Sequence, residues 1–198
     1  AVGHTTPVSI ADGKTLSGAV TVTGGSIKLG ETGTLASNIT MSGGTLDADN
    51  SLTLSGALTQ SGTITIDVAE DKTLSYSGAA VNLRTLIMSG KGTFSNTNAL
   101  VLNSVYSKLR LSNTSTVNSV STTANNSGLD VNESSTVTNL TVGHTTPVSI
   151  ASGKTLSGAV TVTAGSIKLG ETGTLASTVS MSGGTLDADE SLTVSGTL

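Results

Sequence analysis

Apolar and polar residues alternate along much of the chain in short runs. Residues 20–23 read Val-Thr-Val-Thr, residues 26–29 read Ser-Ile-Lys-Leu and residues 63–66 read Thr-Ile-Thr-Ile. A period of two is typical of a β-strand that buries one face. We therefore expect many short strands, whose Val, Ile and Leu side chains point to an interior and whose Thr and Ser side chains point outward.

The strand pattern recurs about every 19–20 residues, with three short strands in each coil. One rank of leucines marks this period at Leu16, Leu35, Leu54 and Leu74. A second rank, of mixed apolar residues, aligns residues 27–29, 46–48 and 64–66. Turn residues separate the strands: Asp12-Gly13, Thr32-Gly33 and Asp71-Lys72 at one corner, and Gly24-Gly25, Gly43-Gly44 and Ser61-Gly62 at another. Because alanine replaces Gly24 in a later copy of the segment, we expect the positive φ at the second glycine of the pair.

A longer repeat contains this short period. Residues 2–58 match residues 142–198 at 49 of 57 positions, whereas residues 59–141 have no second copy. The repeated unit is therefore 140 residues, or about seven coils. We expect one continuous solenoid over residues 1–198, of about ten coils, that samples a longer array.

Composition narrows the class of protein. Ser and Thr make up 65 of the 198 residues, aromatic residues are 2% and there is no cysteine. Such a chain lacks the large side chains of an ordinary two-layer core, but it is too rich in β-branched residues for disorder. The net charge of −4 and scattered basic residues argue against nucleic-acid binding, and no apolar run is long enough to insert in a membrane.

Few residues suggest a catalytic or metal site. His4 and His144 are copies of one position seven coils apart and cannot share a site. The densest carboxylates are the weak calcium candidates Asp47, Asp49, Asp187, Asp189 and Glu190. Carboxylate oxygens suit Ca²⁺, yet the glycine-rich calcium repeat of secreted toxins is absent, and a solvated corner is the simpler interpretation. We expect no cofactor, no bound metal and no catalytic residues, so the protein is not predicted to be an enzyme.

Hydroxyl side chains form ranks that could contact a surface. The candidate contact residues are Thr21, Thr23, Thr40, Ser42, Thr59 and Ser61. Regular Thr and Ser arrays resemble the ice-binding faces of β-solenoid antifreeze proteins. Thr–Thr and Thr–Ser contacts between neighbouring strands also stabilise a sheet by themselves, which leaves a purely structural interpretation. Lys108 and Arg110 share one outer strand face, and we expect some of the aromatic residues Tyr76, Phe94 and Tyr106 to fill a wider coil.

The repeated phrases at residues 42–46, 52–56 and 182–186 complete the pattern. With these phrases, the chain resembles the passenger stalks of bacterial autotransporters and related filamentous surface adhesins. The resemblance implies an all-β fold, a right-handed single-stranded parallel β-helix, and secretion to the cell surface. It also implies a structural stalk or fibre with an adhesive role. Because a rod exposes an open β edge at each end and flat Thr/Ser faces along its sides, we expect self-association head to tail or laterally, with cell-surface glycans as a further candidate partner. Two alternatives stay open: an ice-binding solenoid, and a β-helical protein that binds or cleaves polysaccharide.

Overall fold

In the computed structural model, described over residues 1–3, 7–29, 34–36, 38–78, 83–102, 105, 107–122, 127–143, 147–188 and 193–194, the secondary structure is entirely β. The strands are β1 (Val8–Ile10), β2 (Thr15–Leu16), β3 (Val20–Val22), β4 (Ser26–Leu29), β5 (Thr34–Leu35), β6 (Ile39–Met41), β7 (Thr45–Ala48), β8 (Leu52–Leu54), β9 (Leu58–Gln60), β10 (Thr63–Val68), β11 (Thr73–Tyr76), β12 (Thr85–Met88), β13 (Thr93–Asn96), β14 (Leu100–Leu102), β15 (Lys108–Leu111), β16 (Thr116–Thr122), β17 (Gly128–Val131), β18 (Ser135–Val142), β19 (Pro147–Ile150), β20 (Thr155–Val162), β21 (Ser166–Leu169), β22 (Thr174–Met181), β23 (Thr185–Ala188) and β24 (Thr193–Val194).

These strands form three parallel sheets, as expected for a β-solenoid. The ten-stranded sheet runs β1-β4-β7-β10-β12-β15-β17-β19-β21-β23. The eleven-stranded sheet runs β2-β5-β8-β11-β13-β16-β18-β20-β22-β24, with β14 paired to β16 at its side, and the three-stranded sheet is β3-β6-β9. Each turn of the chain adds one strand to the ten-stranded sheet and one to the main path of the eleven-stranded sheet, whereas the three-stranded sheet consists of β3, β6 and β9 alone among the described strands. The predicted fold class, an all-β parallel solenoid with three short strands in a coil, is confirmed.

The interior is a stack of aliphatic side chains, one layer in each coil. Ile27, Leu46 and Ile66 lie opposite one another on successive strands of the ten-stranded sheet and are 0%, 0% and 1% exposed. Their outward neighbours along each strand are polar. Burial of alternate residues therefore fixes the register, because a slip of one residue would expose every apolar side chain.

One coil departs from the alignment expected from sequence. Leu74 pairs with Leu52 rather than with Leu54, so Tyr76 continues the rank of Leu16, Leu35 and Leu54. In the ten-stranded sheet, Leu46 likewise lies opposite Ile66, although the sequence alignment matched it with Ile64. Both differences are shifts of two residues, and a shift of two leaves the same side chains inside. Alternation alone cannot detect them.

The wider coils hold the aromatic residues. Coil length rises from 19 residues between Ile27 and Leu46 to 22 between Leu52 and Leu74. Tyr76 and Phe94 are each 1% exposed, with ring centroids 5.7 Å apart. Burial raises the pKa of the Tyr76 hydroxyl, and the opposing contribution comes from the Leu58 backbone N–H, which donates to it at 3.1 Å. As expected, aromatic side chains fill an enlarged interior, whereas Tyr106 lies outside the described residues.

Two corners turn through left-handed backbone. Gly25 has φ of 73° and its copy Gly165 has 78°, so the second glycine of the pair carries the positive φ as predicted. At the other corner Asp71, with φ of 60°, takes the position of Gly13, with φ of 66°. A backbone hydrogen bond closes each turn: the Lys14 N–H donates to the Ala11 carbonyl, and the Lys72 N–H donates to the Ala69 carbonyl. The two central residues of the turn are therefore Glu70 and Asp71. The pair expected from sequence, Asp71-Lys72, lies one residue too far along the chain.

Candidate functional surfaces

The charged residues that lie within strands are confined to one face of the solenoid. Every charged residue that lies within a strand of the described chain belongs to the ten-stranded sheet: Lys28, Asp47, Asp67, Lys108, Arg110, Asp130, Lys168 and Asp187. The strands of the other two sheets contain only apolar, hydroxyl, amide and glycine residues. The solenoid therefore has a charged side and an uncharged side, named for their strands, while other charged residues such as Glu133 and Lys154 lie between strands.

The ion pairs run along the solenoid axis. Asp130 lies opposite Arg110 on the neighbouring strand and accepts from Arg110 Nε at 3.4 Å and from Lys108 Nζ at 3.2 Å. Lys154 Nζ lies 2.7 Å from Glu133 Oε2, again one coil away. Each pair is at least partly exposed and is worth no more than about 1 kcal/mol. Lys108 and Arg110 share an outer strand face, as expected. The carboxylate of Asp130 partly neutralises their charge, which weakens this face as a site for anions.

The carboxylates considered for calcium are part of this ionic network. Lys28 Nζ pairs with Asp49 and lies 3.9 Å from Asp47, while Asp67 stands directly opposite Asp47 on the next strand. Desolvation raises the pKa of Asp47, and the charges of Asp49 and Asp67 raise it further against the lowering effect of Lys28. No group of three or more His, Asp or Glu in the described part of the chain is placed to hold a metal. Asp189 and Glu190 lie outside the described residues, as do His4 and His144.

The predicted hydroxyl ranks are in register on the uncharged side. Thr21, Thr40 and Thr59 are paired across β3, β6 and β9, and all three are exposed. Thr23, Ser42 and Ser61 follow them in sequence and are also exposed. Further along, the same outward column has Val101 opposite Ser121 and then hydroxyl residues again at Thr141, Thr161 and Ser180. We call this set of outward positions the hydroxyl face; it holds all six candidate contact residues on one surface.

A polar groove, which sequence reasoning missed, lies beside the hydroxyl face. It has a volume of about 540 Å³ and crosses β13, β16 and β18, where Ser, Thr and Asn supply all of its lining. Asn96 and Asn118 lie at its floor, and Thr138 and Asn139 are exposed at its edge. A smaller groove of about 240 Å³ on β16, β18 and β20 is lined only by Ser and Thr. Neither groove is lined by a carboxylate or an imidazole.

Buried hydrogen bonds fix the floor of the polar groove. Asn96 is 3% exposed, and its amide nitrogen donates to the carbonyls of Asn98 at 2.8 Å and Ser119 at 2.7 Å. Its amide oxygen accepts from the backbone N–H groups of Asn118 at 2.9 Å and Ser119 at 3.2 Å. This side chain holds the corner between two strands in one geometry, because a buried amide left unbonded would be costly.

A β-bulge shapes the edge of the groove. Three residue steps in β18, from Thr136 to Asn139, face only two in β20, from Ser157 to Ala159. The additional residue makes two consecutive side chains, Thr138 and Asn139, point outward. Bulges re-aim side chains in this way and occur next to functional sites.

A sequence signal for this groove exists. One corner position stands two residues before the first buried residue of the uncharged side. In the repeated segments it is glycine or serine, at Gly18, Ser37, Gly56, Gly158 and Ser177. In three consecutive coils of the middle segment it is Asn98, Asn118 and Thr138. An alignment of coils at this corner would have distinguished the middle segment from the repeated ones.

Comparison with known proteins adds no assignment: no protein-family model, curated protein or solved structure matches the chain. Within the described residues there is no helix long and apolar enough to cross a membrane.

Proposed function

We propose that the chain is a shaft segment of a structural extracellular fibre or stalk with an adhesive role. The observation that carries this proposal is the continuous parallel pairing of the ten-stranded sheet from β1 to β23. Hydrogen bonds in such a sheet run along the solenoid axis, so extension of the chain lengthens a stiff rod without changing its cross-section.

The distribution of side chains supports a load-bearing role. The interior layers are closely filled with aliphatic residues, and the ion pairs described above connect consecutive coils. β1 and its sequence copy β19 are seven strands apart in the ten-stranded sheet. At about 4.8 Å for each strand spacing, the repeated unit advances the rod by about 34 Å.

Electron microscopy of surface material from the source cells tests the proposal. Antibodies raised against the purified chain should label fibres or stalks outside the cell, and the labelled fibres should show an axial repeat near 34 Å. Labelling confined to the cell interior, or to compact particles without an axial repeat, would contradict it. Antibodies against an unrelated surface protein of the same cells provide the matched control.

Ice binding is a second candidate, favoured by the register of the hydroxyl face. Thr21, Thr40 and Thr59 stand on adjacent parallel strands, which places equivalent methyl and hydroxyl groups about 4.8 Å apart along the axis. The described residues of the face carry no charge, so it can hold ordered water without strong ionic hydration. This arrangement supports a regular contact with a crystalline surface.

Thermal hysteresis of the purified chain separates the two candidates. An ice-binding face should depress the freezing point below the melting point, and Thr40→Tyr should abolish the effect by breaking the flat rank. Ser149→Tyr, on the outer face of the ten-stranded sheet, is the matched control because it leaves the hydroxyl face intact. Absence of hysteresis in the unaltered chain removes this candidate and leaves the shaft proposal untouched.

A further inference from the structure

We propose that the polar groove across β13, β16 and β18 binds a neutral oligosaccharide. The proposal supplies a ligand for the adhesive role in the proposed function, and it rests on the proposed function in this respect alone. The shaft role stands without it.

The lining chemistry selects the ligand class. Every side chain that lines the groove carries a hydroxyl or an amide, and none is ionised or aromatic. A hydroxyl or an amide both donates and accepts hydrogen bonds, which matches the hydroxyl groups of sugars. A peptide ligand would need apolar pockets or an open sheet edge, and an acidic ligand would need basic residues. Of these classes, an uncharged polyhydroxyl chain fits the lining best.

Polar groups at the groove edge are available to such a ligand. Asn139 and Thr138 are exposed, and their side chains have no hydrogen-bond partner among the described residues. The Asn118 amide nitrogen donates to Ser95 Oγ at 3.0 Å, which orients the Asn118 side chain across the groove. The bulge in β18 therefore directs two free polar side chains towards one that is already held in place.

The floor is pre-organised. The four hydrogen bonds of Asn96 keep the corner of β13 and β16 in one arrangement whether or not a ligand is present. A ligand would therefore cause little ordering of the protein, and pre-organisation of this kind favours binding. The volume of about 540 Å³ lies within the usual range of small-molecule sites, about 300–1,000 Å³.

The expected affinity is weak. The buried rings of Tyr76 and Phe94 cannot stack on a sugar, so recognition would depend on hydrogen bonds alone. Those bonds replace bonds to water, and each contributes little net free energy. Weak single contacts are typical of adhesive arrays, in which repeated sites on one rod raise the overall avidity.

Nuclear magnetic resonance of the whole ¹⁵N-labelled chain tests the site directly. The probes are maltohexaose, cellohexaose and xylohexaose, with the acidic hexamer of galacturonic acid as the charged comparison. At least one neutral hexamer, at up to about 10 mM, should shift the side-chain amide signals of Asn118 and Asn139. The acidic hexamer should shift them less.

Variants make the assignment specific. Asn139→Ala and Thr138→Val should each weaken binding, Asn139→Ala by up to about tenfold for the loss of one or two hydrogen bonds. Both side chains are exposed and have no hydrogen-bond partner among the described residues, so the variants should keep the native spectrum elsewhere. Thr141→Ala, on the same strand and outside the groove, is the matched control and should bind as the unaltered chain does.

Three outcomes would overturn the inference: no shift at Asn118 and Asn139 with any neutral hexamer, equal binding of the acidic hexamer, or equal loss of binding in Thr141→Ala. None of these outcomes bears on the axial repeat of the fibre. A failure of the oligosaccharide site is therefore distinguishable from a failure of the shaft proposal.

Discussion

The two copies of the repeated segment fold into different strands although their sequences are nearly the same. In the first copy, β2 and β3 are separate strands in two different sheets, with Gly18 between them. In the second copy, the identical residues form the single eight-residue strand β20, which passes through Gly158 without interruption. The difference therefore originates outside the segment, in the coil on which each copy stacks.

The neighbouring strands explain the difference. β20 lies between β18 and β22, which are both eight residues long, and it pairs with β22 at every position from Thr155 to Val162. β2 pairs with the two-residue β5, and β3 pairs with the three-residue β6 and with the single residue Val2. A parallel ladder can extend only as far as its partner supplies hydrogen bonds. The length of a strand in this solenoid therefore depends on the lengths of the strands in the neighbouring coils.

The largest difference in stability between matched variants of the two copies is expected at the two corner glycines. A Cβ at residue 158 would lie 1.8 Å from the Val137 carbonyl oxygen, whereas a Cβ at residue 18 would meet nothing within 4 Å. Both residues have positive φ, 117° and 98°, so both substitutions carry the same backbone strain. Gly158→Ala should destabilise the chain by about 3 kcal/mol or more, and Gly18→Ala by about 1–2 kcal/mol.

Denaturant unfolding followed by hydrogen exchange checks this pair. Gly158→Ala should also accelerate exchange in β18 and β20, where the ladder must separate, while Gly18→Ala should change exchange only near residue 18. Equal loss of stability in the two variants would show that the close approach at Val137 is not a real difference between the copies.

The next largest difference in stability is expected between variants of Val8 and Val148, which are copies of one residue. Val8 is 40% exposed on β1, which pairs only with β4. Val148 is 0% exposed, between β17 and β21. Val148→Ala should cost about 2 kcal/mol through lost burial and a residual cavity, and Val8→Ala about 0.5 kcal/mol. Thermal unfolding of the two variants measures the difference, and the reverse order would contradict the burial assigned to β19.

Most of the fold, but only part of the surface, follows from sequence. Alternation predicted which residues of β4, β7 and β10 are buried, because period two determines the face. It could not place Leu74 opposite Leu52, since a shift by two preserves every face. In seven steps the ten-stranded sheet leads from Val8 to Ile150, two residues beyond the sequence copy Val148. The polar groove depends on the bulge in β18, which alternation within a strand does not reveal, so it was not predicted.

A smaller effect is expected at Asp47, whose carboxylate faces Asp67 in the first copy. Burial and the neighbouring charges raise the pKa of Asp47 above its ordinary value of 3.8. Its charged form is thus disfavoured in the folded state, and stability falls as pH rises from 3.8 through the folded pKa. Asp47→Asn should stabilise the chain by roughly 0.5 kcal/mol at neutral pH, and the gain should vanish below pH 3.8.

Unfolding midpoints between pH 3 and pH 8 test this sign, with Asp187→Asn, the exposed copy, as the control. The control should show little gain at neutral pH. If Asp47→Asn were instead destabilising at neutral pH, the attraction of Lys28 would outweigh the repulsion by Asp67.

The smallest expected difference is between Lys154 and its copy Lys14. Lys154 Nζ lies 2.7 Å from Glu133, one coil earlier, whereas Lys14 has no ion-pair partner in the described part of the chain. Because the pair is partly exposed, a double-mutant cycle of Lys154→Ala with Glu133→Ala should give a coupling energy of about 0.5 kcal/mol. The coupling should shrink as salt rises towards 1 M, and Lys14→Ala should leave stability nearly unchanged. A coupling that does not respond to salt would mean that the two side chains interact through packing, in which case axial ion pairs would not distinguish the second copy from the first.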